Sequence, residues 1–450
     1  MKKILFLLVL ALAHPGLAAN GAEPQPFPYA GEYRLASGGW ISIVRTGVVE
    51  AMAQPMYIDW ESGRLGVLAV SGSDRLVSPP PAKPDAPWQT EVVFRRDDAG
   101  QVAGLTIVER GGQPRNAQLM QPWTEEEVTF PSGGITLSGL WLQPAGPGPH
   151  PAVVLVHGSG PGTRHQLVPM ASFFAHLGLA VLYYDKRGCG GSGGDWKQVD
   201  LEELAADAAS GARWLRSRAG IDPKRVGLWG ISQGGWITPL AAALDPAIAF
   251  VINSSGPGTS LRRQDLYMME NMLKANNLPE ADVQLALKTF STLYDYGRGK
   301  AQAGELDPLL EKLRNHPVLK EIALPPAAEI TPAALYAQQA IGDPAWFFHL
   351  DPDRDALAPY RKLRCPLLVT YGKLDITVPV EESARLIGET LRRAGHADFR
   401  VEVLPATGHG FARMGEGNPP APVQPNLISR EFFTTIETWL RQHGLCGGAK

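Results

Sequence analysis

The sequence predicts an α/β fold: a mostly parallel central sheet with helices on both faces, a helical cap insertion, and a small β-rich domain in front. Three observations carry that expectation. Short, almost wholly apolar runs alternate with amphipathic stretches from about residue 150 onward, the signature of parallel strands covered on both faces. Glycine clusters follow those runs, at Gly158–Gly162, Gly188–Gly194, Gly230–Gly235 and Gly408–Gly410. Two segments, 24–123 and 255–363, break the alternation, the first with β texture and the second with helical texture.

Composition allows such a molecule and excludes others. The chain has 450 residues, 44% apolar and 19% charged, enough to bury a large core, so its 49 Gly and 39 Pro read as turns rather than as collagen or disorder. A net charge of −3 without single-sign runs gives no ground for nucleic-acid binding or for an anionic membrane surface.

The elements follow in order. Lys2 and Lys3 precede the apolar run Ile4–Ala13, and small residues end the segment at Ala18 and Ala19. That is the layout of a secretory signal peptide over residues 1–19, too short to span a membrane, and it predicts a periplasmic or secreted protein. Residues 24–123 read as short antiparallel strands, with Asp97–Gly100 as a hairpin loop and a proline-rich loop from Ser78 to Pro87. Residues 124–254 and 364–445 form the α/β core. Its strands are expected at Ala152–Val156, Ala180–Tyr184, Val226–Trp229, Ala249–Asn253, Leu367–Tyr371 and Phe399–Leu404. Between them, 255–363 reads as a helical cap, with Asp307-Pro308, Thr331-Pro332 and Asp343-Pro344 as expected helix starts.

The chemistry is expected at the carboxyl ends of the strands, where ligands bind in such sheets. Gly230-Ile231-Ser232-Gln233-Gly234 is a G-x-S-x-G string between a strand and a helix, and it marks Ser232 as a nucleophile. A serine needs a base and an orienting acid. His409, in the glycine-flanked loop past the last strand, is the best-placed histidine, and Asp375, after the preceding strand, is the acid. The oxyanion donors are expected to be the backbone N–H of Gln233 and that of Ser159, with Gly160 as the neighbouring choice. No metal or organic cofactor is called for.

Other motifs carry less. Gly188-Cys189-Gly190-Gly191-Ser192-Gly193 fits a dinucleotide-binding string, but no helix opens within it and no acid ends the next strand. Asp185 and Arg187 are expected to brace this loop as an ion pair. Cys189, Cys365 and Cys446 show no metal spacing, and a Cys365–Cys446 bridge is open from sequence. Glu270, Glu280, Glu305 and Glu311 in the cap can serve an α-amine or simply face solvent, and Met268, Met269 and Met272 can line an acyl pocket or pack the cap.

Together the strings around His157, Asp185, Ser232, Asp375 and His409 resemble the α/β-hydrolase superfamily over roughly 126–444. Within it they are similar to exported bacterial carboxylesterases related to dienelactone hydrolases and acyl-peptidases. The resemblance implies a serine esterase acting on a small-molecule, short-chain acyl ester, with Ser232 as nucleophile, His409 as base and Asp375 as acid. A serine aminopeptidase or acyl-peptidase acting on short peptides shares the same triad, and a non-catalytic envelope module is the remaining alternative. No nucleic-acid partner and no stable membrane insertion are expected.

Overall fold

A computed structural model describes residues 27–47, 54–78, 88–321, 350–415, 417, 420–422 and 427–446. The signal-peptide segment, the proline-rich stretch 79–87 and the Thr331-Pro332 and Asp343-Pro344 pairs lie outside the described residues.

Nine antiparallel strands come first: β1 (Gly31–Leu35), β2 (Trp40–Thr46), β3 (Gln54–Asp59), β4 (Arg64–Val67), β5 (Ala69–Gly72), β6 (Arg75–Ser78), β7 (Thr90–Arg96), β8 (Val102–Glu109) and β9 (Arg115–Met120). Their order in the sheet is β4-β3-β2-β1-β9-β8-β7-β6-β5. The two edge strands, β4 and β5, are separated in the chain only by Leu68, so the sheet must curl until its edges meet. The result is a near-barrel filled by Tyr33, Ile41, Tyr57, Leu76, Phe94 and Leu105.

The second sheet has eight strands in the order β10-β11-β13-β12-β14-β15-β16-β17. A hairpin of β10 (Trp123–Ser132) and β11 (Ile135–Pro144) joins antiparallel to β13 (Ala180–Tyr184). The remaining pairings are parallel, through β12 (His150–Val156), β14 (Ile221–Ile231), β15 (Val251–Ser254), β16 (Leu367–Gly372) and β17 (Phe399–Leu404).

Strand periodicity assigns the two faces. Ala152, Val154 and Val156 pack with Leu204, Ala208 and Ile387 from α2 (Leu201–Arg216) and α7 (Val380–Arg393), and with α3 (Gln233–Leu244). Val153 and Leu155 face the other way, onto Phe174 of α1 (Val168–His176) and Ile436 and Trp439 of α8 (Arg430–Gln442). The chain reverses direction across the sheet between β12 and β14, so the loops after those two strands flank the switch point where such folds bind ligands.

The cap contributes α4 (Leu261–Ala275), α5 (Glu280–Gly297) and α6 (Ala303–Asn315). Here one expectation is corrected. Pro308 lies inside α6 and does not start it: Gln302 caps the helix, with Glu305 closing a reciprocal capping box. As the sixth residue of α6, Pro308 leaves out the one backbone bond that an N–H there would give to the Gly304 carbonyl.

Candidate active site

Ser232 stands between β14 and α3 with φ 55° and ψ −116°, a left-handed backbone conformation that costs a non-glycine residue energy. The flanking glycines make the turn possible. A Cβ at Gly230 would lie 2.4 Å from the Gly234 carbonyl oxygen, and one at Gly234 would lie 2.6 Å from that of Val156. The serine N–H donates to the Ser254 carbonyl at 2.9 Å, which ties the turn to β15. Gln233 opens α3, so its N–H belongs to the first turn, whose donors have no partner within the helix and lie at its positive end.

His409 and Asp375 come together from the loops after β17 and β16. Nδ1 of His409 is 2.7 Å from Oδ2 of Asp375, whose side chain is fully buried. The other carboxylate oxygen accepts the N–H groups of Thr377 at 2.7 Å and Val378 at 3.1 Å, which sets the carboxylate plane. Burial alone would lower the pKa of His409, but the charge of Asp375 and its hydrogen bond outweigh it and hold the imidazole above its ordinary value. Ser232, His409 and Ser159 all line one cavity of 510 Å³.

Beneath the loop after β12 lies a residue whose role the sequence did not reveal. Lys186 is 3% exposed, and its ammonium donates to the Gly158 carbonyl at 2.6 Å, the Gly160 carbonyl at 2.7 Å and Oε1 of Gln233 at 3.1 Å. One buried cation thus binds the loop holding Ser159 to the residue following Ser232. Burial pushes its pKa down to about 7. His157, behind the same loop, donates from Nε2 to the Tyr184 carbonyl, and burial followed by the Lys186 charge lowers its pKa to about 4, so it stays neutral. Gly160 has φ 79° and turns its carbonyl to Lys186, whereas Ser159 borders the cavity.

Asp185 and Arg187 do not pair with each other, contrary to expectation. Arg187 forms a two-pronged bond with Asp207 of α2, at 2.7 and 2.8 Å. Asp185 accepts the N–H groups of Arg164 at 2.7 Å and Gly191 at 2.9 Å, and the glycine loop wraps it so closely that a Cβ at Gly190 would lie 2.4 Å from its oxygen. Successive residues of a loop leave in different directions, so each reaches its own partner. Cys189, Cys365 and Cys446 are free thiols.

The cavity draws on three parts of the chain. Trp229, Trp236 and Phe411 come from the core, Asp265 and Met268 from α4, and Met56, Ile58 and Trp60 from the β domain. Met269 packs instead into the cap's own core. Glu270, Glu280, Glu305 and Glu311 are not among the lining: Glu270 pairs with Lys274 at 2.5 Å, and Glu305 is spent on the α6 cap. Among the described residues the acid lining the cavity is Asp265, partly accessible, and its Oδ2 accepts the Tyr294 hydroxyl. Burial raises its pKa to about 7, against the opposing pull of that bond. A sequence signal existed, since Leu261, Asp265, Met268 and Met272 follow helical spacing and place one carboxyl in an otherwise apolar stripe.

Several known proteins are similar to this chain. An uncharacterized protein of Mycobacterium tuberculosis is 32% identical over 150 residues, which are 33% of this chain and 51% of that protein, so the chain matches only about half of that relative. Esterase EstD of Thermotoga maritima is 24% identical over 364 residues, 76% of this chain and 77% of that one. Among solved structures, an esterase of Pyrococcus furiosus aligns with 71% of this chain and 90% of its own at 16% identity, with a TM-score of 0.42. The acylaminoacyl peptidase of Pyrococcus horikoshii covers 91% of this chain and 56% of its own at 15% identity, with a TM-score of 0.43. The family model described as X-Pro dipeptidyl-peptidase (S15 family) matches residues 108–396, more than half of the chain, and the protein belongs to that family.

Proposed function

We propose that this serine-hydrolase-type enzyme is a peptidase that cleaves short peptides bearing a free amino end. Ser232 attacks the scissile carbonyl while His409 takes the hydroxyl proton, and Asp375 holds the imidazole and balances its charge. The N–H groups of Gln233 and Ser159 receive the oxyanion. His409 then protonates the leaving amine, which departs as the acyl-enzyme forms. Water, deprotonated by the same imidazole, attacks the acyl-enzyme and releases the acid.

The observation that carries the peptide reading over simple ester hydrolysis is Asp265. Its carboxyl borders the cavity that also holds Ser232 and His409, and it has no cationic partner in the hydrogen bond it makes, which is to neutral Tyr294. A substrate ammonium entering that cavity supplies the missing countercharge. Ester cleavage is the second reading, supported by the alignment with the Thermotoga esterase along three quarters of both chains. Export is part of the proposal and rests on the segment from Lys2 to Ala19.

The deciding measurement compares p-nitroanilides of short peptides, with the amino end free or acetylated, against p-nitrophenyl esters. A preference of at least about tenfold for the free amine supports the peptidase, and it corresponds to one hydrogen bond to a charged group. Equal rates on free and acetylated substrates would overturn it in favour of the esterase. Ser232→Ala is the blank in both arms.

A further inference from the structure

We propose that the β domain is a substrate-selecting part of the active site: the outer face of β3, with Leu65 opposite, forms an apolar subsite for a bulky aliphatic or aromatic group of the substrate.

Strand periodicity builds this subsite. Tyr57 turns inward and fills the near-barrel, whereas Met56, Ile58 and Trp60, each two residues apart, border the cavity that holds Ser232. Leu65 of β4 is the register partner of Ile58 and borders the same cavity, so the two side chains stand side by side on one face. An outward barrel face would ordinarily be polar. Here it is apolar where it meets the catalytic loops.

Docking of this wall is specific. Glu32 of β1 is 6% exposed and sits between the two sheets' layers. It accepts Ser42 Oγ at 2.5 Å from its own domain and Ser172 Oγ at 3.0 Å from α1, and Nε2 of His176 lies 3.0 Å away. Ser42 in turn accepts the indole N–H of Trp60 at 2.7 Å, and the Trp60 ring meets Phe173 and Phe433 of the core. Farther along, the Ile428 N–H donates to the Gly63 carbonyl at 2.8 Å, and Thr46 Oγ1 donates to the His165 carbonyl at 2.8 Å. A buried carboxylate shared across the junction penalises any displacement that would strip its partners. The wall is therefore held at one distance from the catalytic loops, as a selective subsite requires.

The proposal rests on Ser232 being the nucleophile, and its test separates the two. Two series are measured: p-nitrophenyl esters of increasing acyl length, and alanine esters of increasing alcohol length. Such esters report pocket shape whichever bond is the natural target. In the wild type, kcat/KM rises about fourfold per added methylene in one series until the subsite is full. Ile58→Trp, which fills the subsite, lowers the longest-to-shortest rate ratio at least about tenfold in that series, and Met56→Ala moves the optimum to a longer chain. Val70→Ser, on the exposed edge of the same domain, serves as the reference. Fluorophosphonate labelling of Ser232 and a melting curve accompany every variant, so a misfolded one is recognised and the other decides. Intact labelling with both ratios unchanged overturns this proposal alone. Failure of the wild type to label at Ser232 overturns the serine-hydrolase reading and this proposal with it.

Discussion

Replacing Lys186 with methionine keeps an unbranched side chain, one heavy atom shorter, and removes its three donors. The perturbation acts first on the loop holding Ser159, because the carbonyls of Gly158 and Gly160 on either side of it lose their shared partner, as does the side-chain oxygen of Gln233. A hydrogen bond to a charged group is worth about 1.5–3 kcal/mol. Three such bonds are opposed by the cost of keeping an ammonium out of water, several kcal/mol. Stability therefore changes little, while the geometry of the loop does not survive. Loss of one oxyanion donor costs about 10²–10³ in kcat, and displacement of Ser159 is expected to cost about the same, with KM nearly unchanged. Lys186→Arg is not expected to rescue activity, since a planar guanidinium cannot aim at three converging oxygens. The assay is kcat and KM on an activated ester, with the rate of fluorophosphonate labelling as a parallel reading of the same hole. The pH dependence adds a second signature. The folded pKa, about 7, lies below the unfolded value of about 10.4, so between those limits the unfolded chain carries the extra proton. Stability must then rise with pH across that window while activity falls, as the loop loses a donor. The reasoning is refuted if folded Lys186→Met retains kcat within threefold of wild type.

Other outcomes follow from the same geometry. Asp265→Asn should lower kcat/KM for free-amine substrates about 10–100-fold and leave acetylated ones unaffected, since only the charge at the cavity wall is lost. Because the Asp265 pKa is raised to about 7, the folded state holds a proton through the window from the ordinary carboxylate range to about 7, and wild-type stability falls as pH rises across it. Melting temperatures of Asp265→Asn should lack that slope, and KM for free-amine substrates of the wild type should improve as pH rises through about 7. Gly235→Ala should destabilise by about 2–3 kcal/mol in denaturant titration, because its Cβ would lie 2.3 Å from both Asn253 Oδ1 and the Gly256 backbone. Mass spectrometry of protein from an expressing bacterium should find an N-terminus at Ala19 or Asn20, and an intact Lys2-Lys3 terminus would refute export.

The core was legible because its strands are buried on both faces. A run such as Ala180–Tyr184 admits no polar residue, and its limits in the structure are those expected from sequence. The turn at Ser232 was legible for a related reason, since glycines at 230, 234 and 235 answer to backbone contacts that tolerate no side chain. What escaped were properties created by packing between distant segments. Lys186 reads as one charge in a basic dipeptide, and only the fold turns it inward while its neighbour Arg187 goes to Asp207. Asp265 shares α4 with Glu270 alone of the four cap glutamates, Glu280 lying in α5 and Glu305 and Glu311 in α6, and the spacing that puts it in the apolar stripe does not say what the stripe covers. The β domain is the instructive case. Its strands are legible as short β-rich runs, yet Met56, Ile58 and Trp60 put apolar side chains on the outward face, where a polar pattern is expected. Large apolar side chains on the outside of a small barrel have to be covered by something. In this chain most of the cover is the protein's own catalytic domain, and the space left uncovered is the cavity of 510 Å³ beside Ser232.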